Sequence, residues 1–130
     1  MASIVNAKLA IKTDLSTQTS RCVTTCRIIF TSYEVQQIKE GLKFSLNANL
    51  WGEDLGNWLN PDDFIFSYAT KIFPDATPTA IEDVTFEAVL GNSLLNEDWG
   101  TDEVYAQLTL KNLYTGNKVK AKTNVIKREF

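Results

Sequence analysis

Leu42, Phe44, Leu46, Ala48 and Leu50 alternate with Lys43, Ser45, Asn47 and Asn49. A strand sends successive side chains to opposite faces, so this period of two predicts a half-buried strand over 42–51. "DEVYAQLTLK" repeats the pattern, with Val104, Ala106, Leu108 and Leu110 on the inner face. "KVKAKTNVIK" sets Val119, Ala121, Thr123 and Val125 against Lys118, Lys120, Lys122 and Asn124. Weaker alternation predicts strands over 4–12, 22–31, 64–73 and 80–90, which makes seven.

One short helix interrupts them. In "TSYEVQQIKEG", Thr31 stands three residues before Glu34, the spacing of a capping box, and Gly41 supplies the stop. The helix is therefore expected between 32 and 40, with Val35 and Ile38 on its packed side. "YTGN", Tyr114 to Asn117, reads as the tight turn joining the last two strands. Seven strands with turn signals at regular intervals predict an all-β fold, an antiparallel Greek-key β-sandwich with one short helix. As architecture, this plan is similar to C2-type, transthyretin-type and immunoglobulin-type sandwiches. It would occupy residues 1–130 as a single domain.

Composition narrows the chemistry. The chain has 130 residues, is 44% hydrophobic and 22% charged, and carries a net charge of -3, which is ordinary for a globular domain. It contains no histidine, which removes Ser-His and Cys-His nucleophile pairs and imidazole-based zinc sites, so a non-enzyme is expected. Cys22 and Cys26, four residues apart on a strand, lie roughly 13 Å from each other, too far for a disulfide. They are expected to be free thiols. "MASIVNAKLAIKTD" has no basic segment followed by an apolar one, and no apolar run is long enough to span a bilayer. A cytoplasmic protein without stable membrane insertion is the expectation.

Two segments, "LWGEDLGNWLNPDD" and "LLNEDWGTDE", place a Trp-Gly pair beside clustered carboxylates. If successive strands run antiparallel, the connections 13–21, 51–63 and 91–101 share one end of the sandwich. That end then holds nine of the sixteen acidic residues, with Arg21 as its basic residue. Glu53, Asp54, Asp62, Asp63, Glu97, Asp98, Asp102 and Glu103 are candidate ligands for Ca2+, a hard cation that takes about six to eight oxygens. Trp51 and Trp99 suit the end of a sandwich core, with the indole N–H bonded to a loop carbonyl. Trp58, with Leu55 or Leu59, suits an exposed partner surface. Together Trp51, Leu55, Trp58, Leu59 and Trp99 are the candidate binding residues.

Lys118, Lys120 and Lys122 read as an edge strand protected from pairing, because the interleaved aromatics of a nucleic-acid surface are missing. The chain is thus expected to be a non-catalytic binding or assembly module acting through its acidic, Trp-bearing loops. Its partner would be a protein or a second copy in a homo-oligomer, and not nucleic acid. The alternative is a calcium-dependent ligand-, glycan- or membrane-binding domain. A carboxylate-based hydrolase ranks last, since a catalytic pair needs a cleft.

Overall fold

The computed structural model describes residues 1–53, 63–95 and 102–130, and of Asp102 the backbone alone. The chain is mostly β, in two antiparallel sheets that face each other like a sandwich. The first sheet orders β1 (Ser3–Asp14), β2 (Thr19–Ile29) and β6 (Ile81–Gly91) as β1-β2-β6. The second sheet contains β3 (Phe44–Gly52), β4 (Asp63–Ser67), β7 (Asp102–Asn112) and β8 (Lys118–Lys122) in the order β4-β3-β7-β8. Two short strands complete it, β5 (Lys71–Phe73) on β3 and β9 (Ile126–Arg128) on β7.

The helix α1 (Ser32–Lys39) begins at the capping box. Thr31 Oγ1 accepts the Glu34 N–H, and Glu34 Oε1 accepts the Thr31 N–H. It ends in a Schellman motif: Leu42 N–H donates to the Gln37 carbonyl and Gly41 N–H to that of Ile38. Gly41 sits at a φ of +110°, which L side chains rarely adopt. A second helix, α2 (Asn92–Leu95), follows β6 and buries Leu95 completely.

The described residues form nine strands rather than seven, because two expected runs are broken. Residues 64–73 divide into β4 and β5 at Tyr68, whose side chain turns between the sheets. Its hydroxyl donates to the Cys22 carbonyl and accepts the Thr24 hydroxyl, so one side chain from the second sheet is tied to β2. The last run divides at Thr123, whose Oγ1 accepts the Ala106 N–H where a backbone carbonyl would otherwise stand. The register then slips by one residue, from Gln107↔Lys122 to Val104↔Ile126. That slip is why Val125 is exposed instead of continuing the inner face set by Val119 and Ala121.

A bulge between Val5 and Lys8 does the same for β1. Inward positions pass from the even phase of Ala2 and Ile4 to the odd phase of Leu9 and Ile11. Phe44, Leu46, Ala48 and Leu50 from β3 and Val104, Ala106, Leu108 and Leu110 from β7 face Cys22, Cys26, Ile28, Val84 and Phe86 across the core. Cys22 and Cys26 are both free and buried.

Candidate functional site

Of the acidic candidates, Asp54, Asp62, Glu97 and Asp98 lie outside the described residues, as do Leu55, Trp58, Leu59 and Trp99. The side chain of Asp102 does too. The flanks of both connections do meet, because Glu53 N–H donates to the Glu103 carbonyl at 2.7 Å. Their carboxylates are engaged by lysines: Lys122 Nζ lies 3.5 Å from Glu53 and Lys127 Nζ 3.5 Å from Glu103. Asp63 is exposed.

This corrects the expected charge separation, in which Arg21 was the basic residue of that end. β8 and β9 run antiparallel to β7, so the chain climbs from Lys118, opposite Lys111, to Lys127, opposite Glu103. The register carries the last lysines to the acidic end. Among the described residues no three His, Cys, Asp or Glu side chains group as a metal site.

Trp51 follows Leu50 and so falls on the outer face of the second sheet, not in the core end where it was expected. There it stands edge-on to Phe64 at 5.6 Å, its register partner on β4. On the other side it pairs with Tyr105, over whose ring Lys122 Nζ sits at 4.1 Å. The Trp51 Nε1 is buried and has no hydrogen-bond partner among the described residues.

Two concavities open at the opposite end. A hollow of about 520 Å³ opens between the C-terminus of α1 and the β7–β8 turn, lined by Gln37, Glu40, Leu42, Lys43, Leu113 and Tyr114. A second, of about 290 Å³, lies on the other side of Gln37 and is lined by Ala2, Tyr33, Phe44, Leu110 and Val119 among others. Tyr114 is 86% exposed and Tyr33 73% exposed, and Leu113 is also exposed.

The backbone that presents these side chains is held firmly. Leu113 N–H donates to the Lys43 carbonyl, which fixes the turn against the helix exit. Asn112 Oδ1 accepts the N–H groups of Tyr114 and Thr115, and Gly116 takes a φ of +80° to close the turn. Glu34 Oε2 accepts the buried N–H of Ala2, so the same carboxylate that caps α1 also seats the start of β1. This end has no signature in the sequence, because Leu113, Tyr114 and Tyr33 are scattered among polar residues. Their signal exists only once the hairpin tip and helix are neighbours.

Both thiols and the Tyr68 phenol point inward. Burial pushes the Cys22 and Cys26 thiols up to about 11, with the nearby Asp83 adding to the effect on Cys26. Burial pushes the Tyr68 phenol up to about 12. Asp14 is held below the usual carboxylate range by the Ser16 hydroxyl and N–H, as an Asx-type turn requires.

No family model matches the chain, and no curated protein matches it. Among solved structures it is similar to the X-ray structure of Northeast Structural Genomics Consortium target SoR45. That likeness has 9% identity and a TM-score of 0.37, over 100% of this chain and 86% of that one. At that score it carries no argument about function. No helix among the described residues is long and apolar enough to cross a membrane.

Proposed function

We propose that the chain is a non-catalytic binding module that engages a protein partner at its helix end. The observation that carries this is the paired hollow flanking Gln37, rimmed by the exposed Tyr33, Leu113 and Tyr114. Aromatic side chains that offer a large apolar body and a polar tip, next to a concavity, are the usual anchors of a protein interface. The non-catalytic reading is supported by the absence of histidine and by thiols that are buried and hard to ionise. Free buried thiols also suit a reducing compartment such as the cytoplasm.

The finer reading of the fold, a Greek-key sandwich of immunoglobulin-like type, is supported by the strand order. The chain passes between sheets from β2 to β3, from β5 to β6 and from β6 to β7, while β1–β2, β3–β4 and β7–β8 are neighbours.

Peptide-library selection against the protein, with counter-selection on a Leu113→Lys/Tyr114→Lys variant, tests the site. Selected peptides should shift amide resonances of residues 37–43 and 113–114. Peptides that instead shift 51–53, 63–64 and 103–105 would move the site to the acidic end. A calcium-dependent site remains the second reading, because the Glu53–Glu103 contact brings two carboxylate-bearing flanks together. Calcium at ~100 times its dissociation constant would then add about 2.7 kcal/mol of stability. An unchanged melting temperature at millimolar calcium removes that reading.

A further inference from the structure

Strand edges offer unpaired N–H and C=O groups to any other chain, and folded proteins generally obstruct them. Three edges of this molecule are obstructed. β1 carries the bulge at Val5–Lys8, and Asn124 closes its edge by accepting the Leu9 N–H and donating to the Leu9 carbonyl. Arg128 donates to the Ile11 carbonyl on the same edge. β8 bears Lys118, Lys120 and Lys122. The β4–β5 edge is divided into strands of 5 and 3 residues.

β6 has no bulge, no lysine and no break, and only its first outward carbonyl, that of Ile81, is taken up by a side chain, the Thr79 hydroxyl. Its 11 residues pair with β2 without a register shift, and they include no proline and no lysine. Among the described residues β2 is its one strand partner. Phe30 N–H donates to the Ala80 carbonyl, one step beyond the Ile29↔Ile81 pair. Antiparallel pairs alternate in the direction of their backbone groups, so even-numbered residues of β6 face β2 and odd-numbered ones face outward. The Thr79 hydroxyl, which donates to the Ile81 carbonyl, reports the same phase. The outward backbone groups are thus those of Ile81, Asp83, Thr85, Glu87 and Val89, whose side chains also occupy the exposed face of the sheet.

We propose that this edge pairs with its counterpart in a second copy of the chain, antiparallel, about a twofold axis at Thr85. In that register Thr85 faces Thr85 of the second copy, and Ile81 faces Val89 twice. Ile81 and Val89 are the exposed aliphatic residues of the strand, at 52% and 60%, and the pairing gives each an apolar neighbour. Asp83 then faces Glu87 of the second copy. Each is compensated within its own sheet, Asp83 by Arg27 at 2.8 Å and Glu87 by Arg21 at 2.8 Å. Because the contact is isologous, it closes at two copies and does not propagate. The result is a continuous six-stranded sheet built from two three-stranded ones.

Light scattering coupled to size exclusion, at concentrations up to about 300 μM, tests the association. The protein should reach twice its monomer mass. Thr85→Pro removes an outward N–H and leaves the β2–β6 ladder intact, and it should raise the dimer dissociation constant about tenfold or more. Val89→Lys, an exposed change that cannot disturb the core, should also weaken the dimer and keeps the test valid if the proline variant misfolds. With oxidised glutathione, which leaves as the reduced thiol, the Thr85→Cys variant should form a disulfide-linked dimer. The Asp83→Cys variant, out of register with itself, should not. A wild-type protein that stays monomeric, or equal cross-linking of the two cysteine variants, overturns the proposal.

Discussion

Replacing Tyr68 by Phe removes one oxygen and keeps the ring. The ring contacts with Phe66 at 5.4 Å and Phe86 at 5.5 Å are retained, so packing is nearly constant. The missing hydroxyl had accepted the Thr24 Oγ1–H at 3.1 Å and donated to the Cys22 carbonyl at 3.2 Å. Thr24 is fully buried, so its donor is left without water or partner. An orphaned buried polar group costs about 1–3 kcal/mol. Taking ~2 kcal/mol and an unfolding entropy of about 2.1 cal/mol/K per residue, the melting temperature should fall by roughly 7 °C for a chain of 130 residues. Adding Thr24→Val removes the orphan itself, and the double variant should recover about 1 kcal/mol relative to the sum of the singles. Calorimetry and urea unfolding of the four proteins give the coupling directly. If the single changes add to within about 0.3 kcal/mol, the hydroxyl does not join the two sheets and the reasoning fails.

Asn124→Ala should cost about 1–2 kcal/mol, since it frees both backbone groups of Leu9 at the edge of β1. Hydrogen exchange at the Leu9 amide should accelerate markedly; unchanged protection there would show that Asn124 does not seal that edge. Alkaline pH should destabilise the fold through groups whose folded pKa is raised above the unfolded value. Their stabilisation is complete at neutral pH. It is lost as the pH climbs from about 9 through about 11 for Cys22 and Cys26, and from about 10 to about 12 for Tyr68. Urea midpoints measured between pH 8 and pH 11 should fall, and fall less in a Cys22→Ala/Cys26→Ala variant. Equal slopes in the two proteins would contradict the thiol contribution.

Alternation along "LKFSLNANLW" and "DEVYAQLTLK" was enough to place β3 and β7, because a strand buried on one face must repeat every two residues. The capping box at Thr31 and Glu34 placed α1 for an equally local reason, the unsatisfied N–H groups of a first helical turn. Free thiols followed from strand rise, and the lack of histidine chemistry followed from composition.

Local pattern could not show where a strand breaks to serve another strand. Tyr68 interrupts β4–β5 because its hydroxyl reaches β2, and Thr123 interrupts β8–β9 because its hydroxyl takes the Ala106 N–H, partners 46 and 17 residues away in sequence. Register decided the charge map as well. Lys122 reads locally as one lysine of an edge strand, and only antiparallel pairing with β7 sets it and Lys127 beside Glu53 and Glu103. Trp51 reads as a core plug from its position at a strand end, but one step of alternation beyond Leu50 puts it on the outer face. The helix-end hollows and the open edge of β6 belong wholly to the tertiary level. A concavity needs two elements to meet, and an edge is free only when every other strand has found its place.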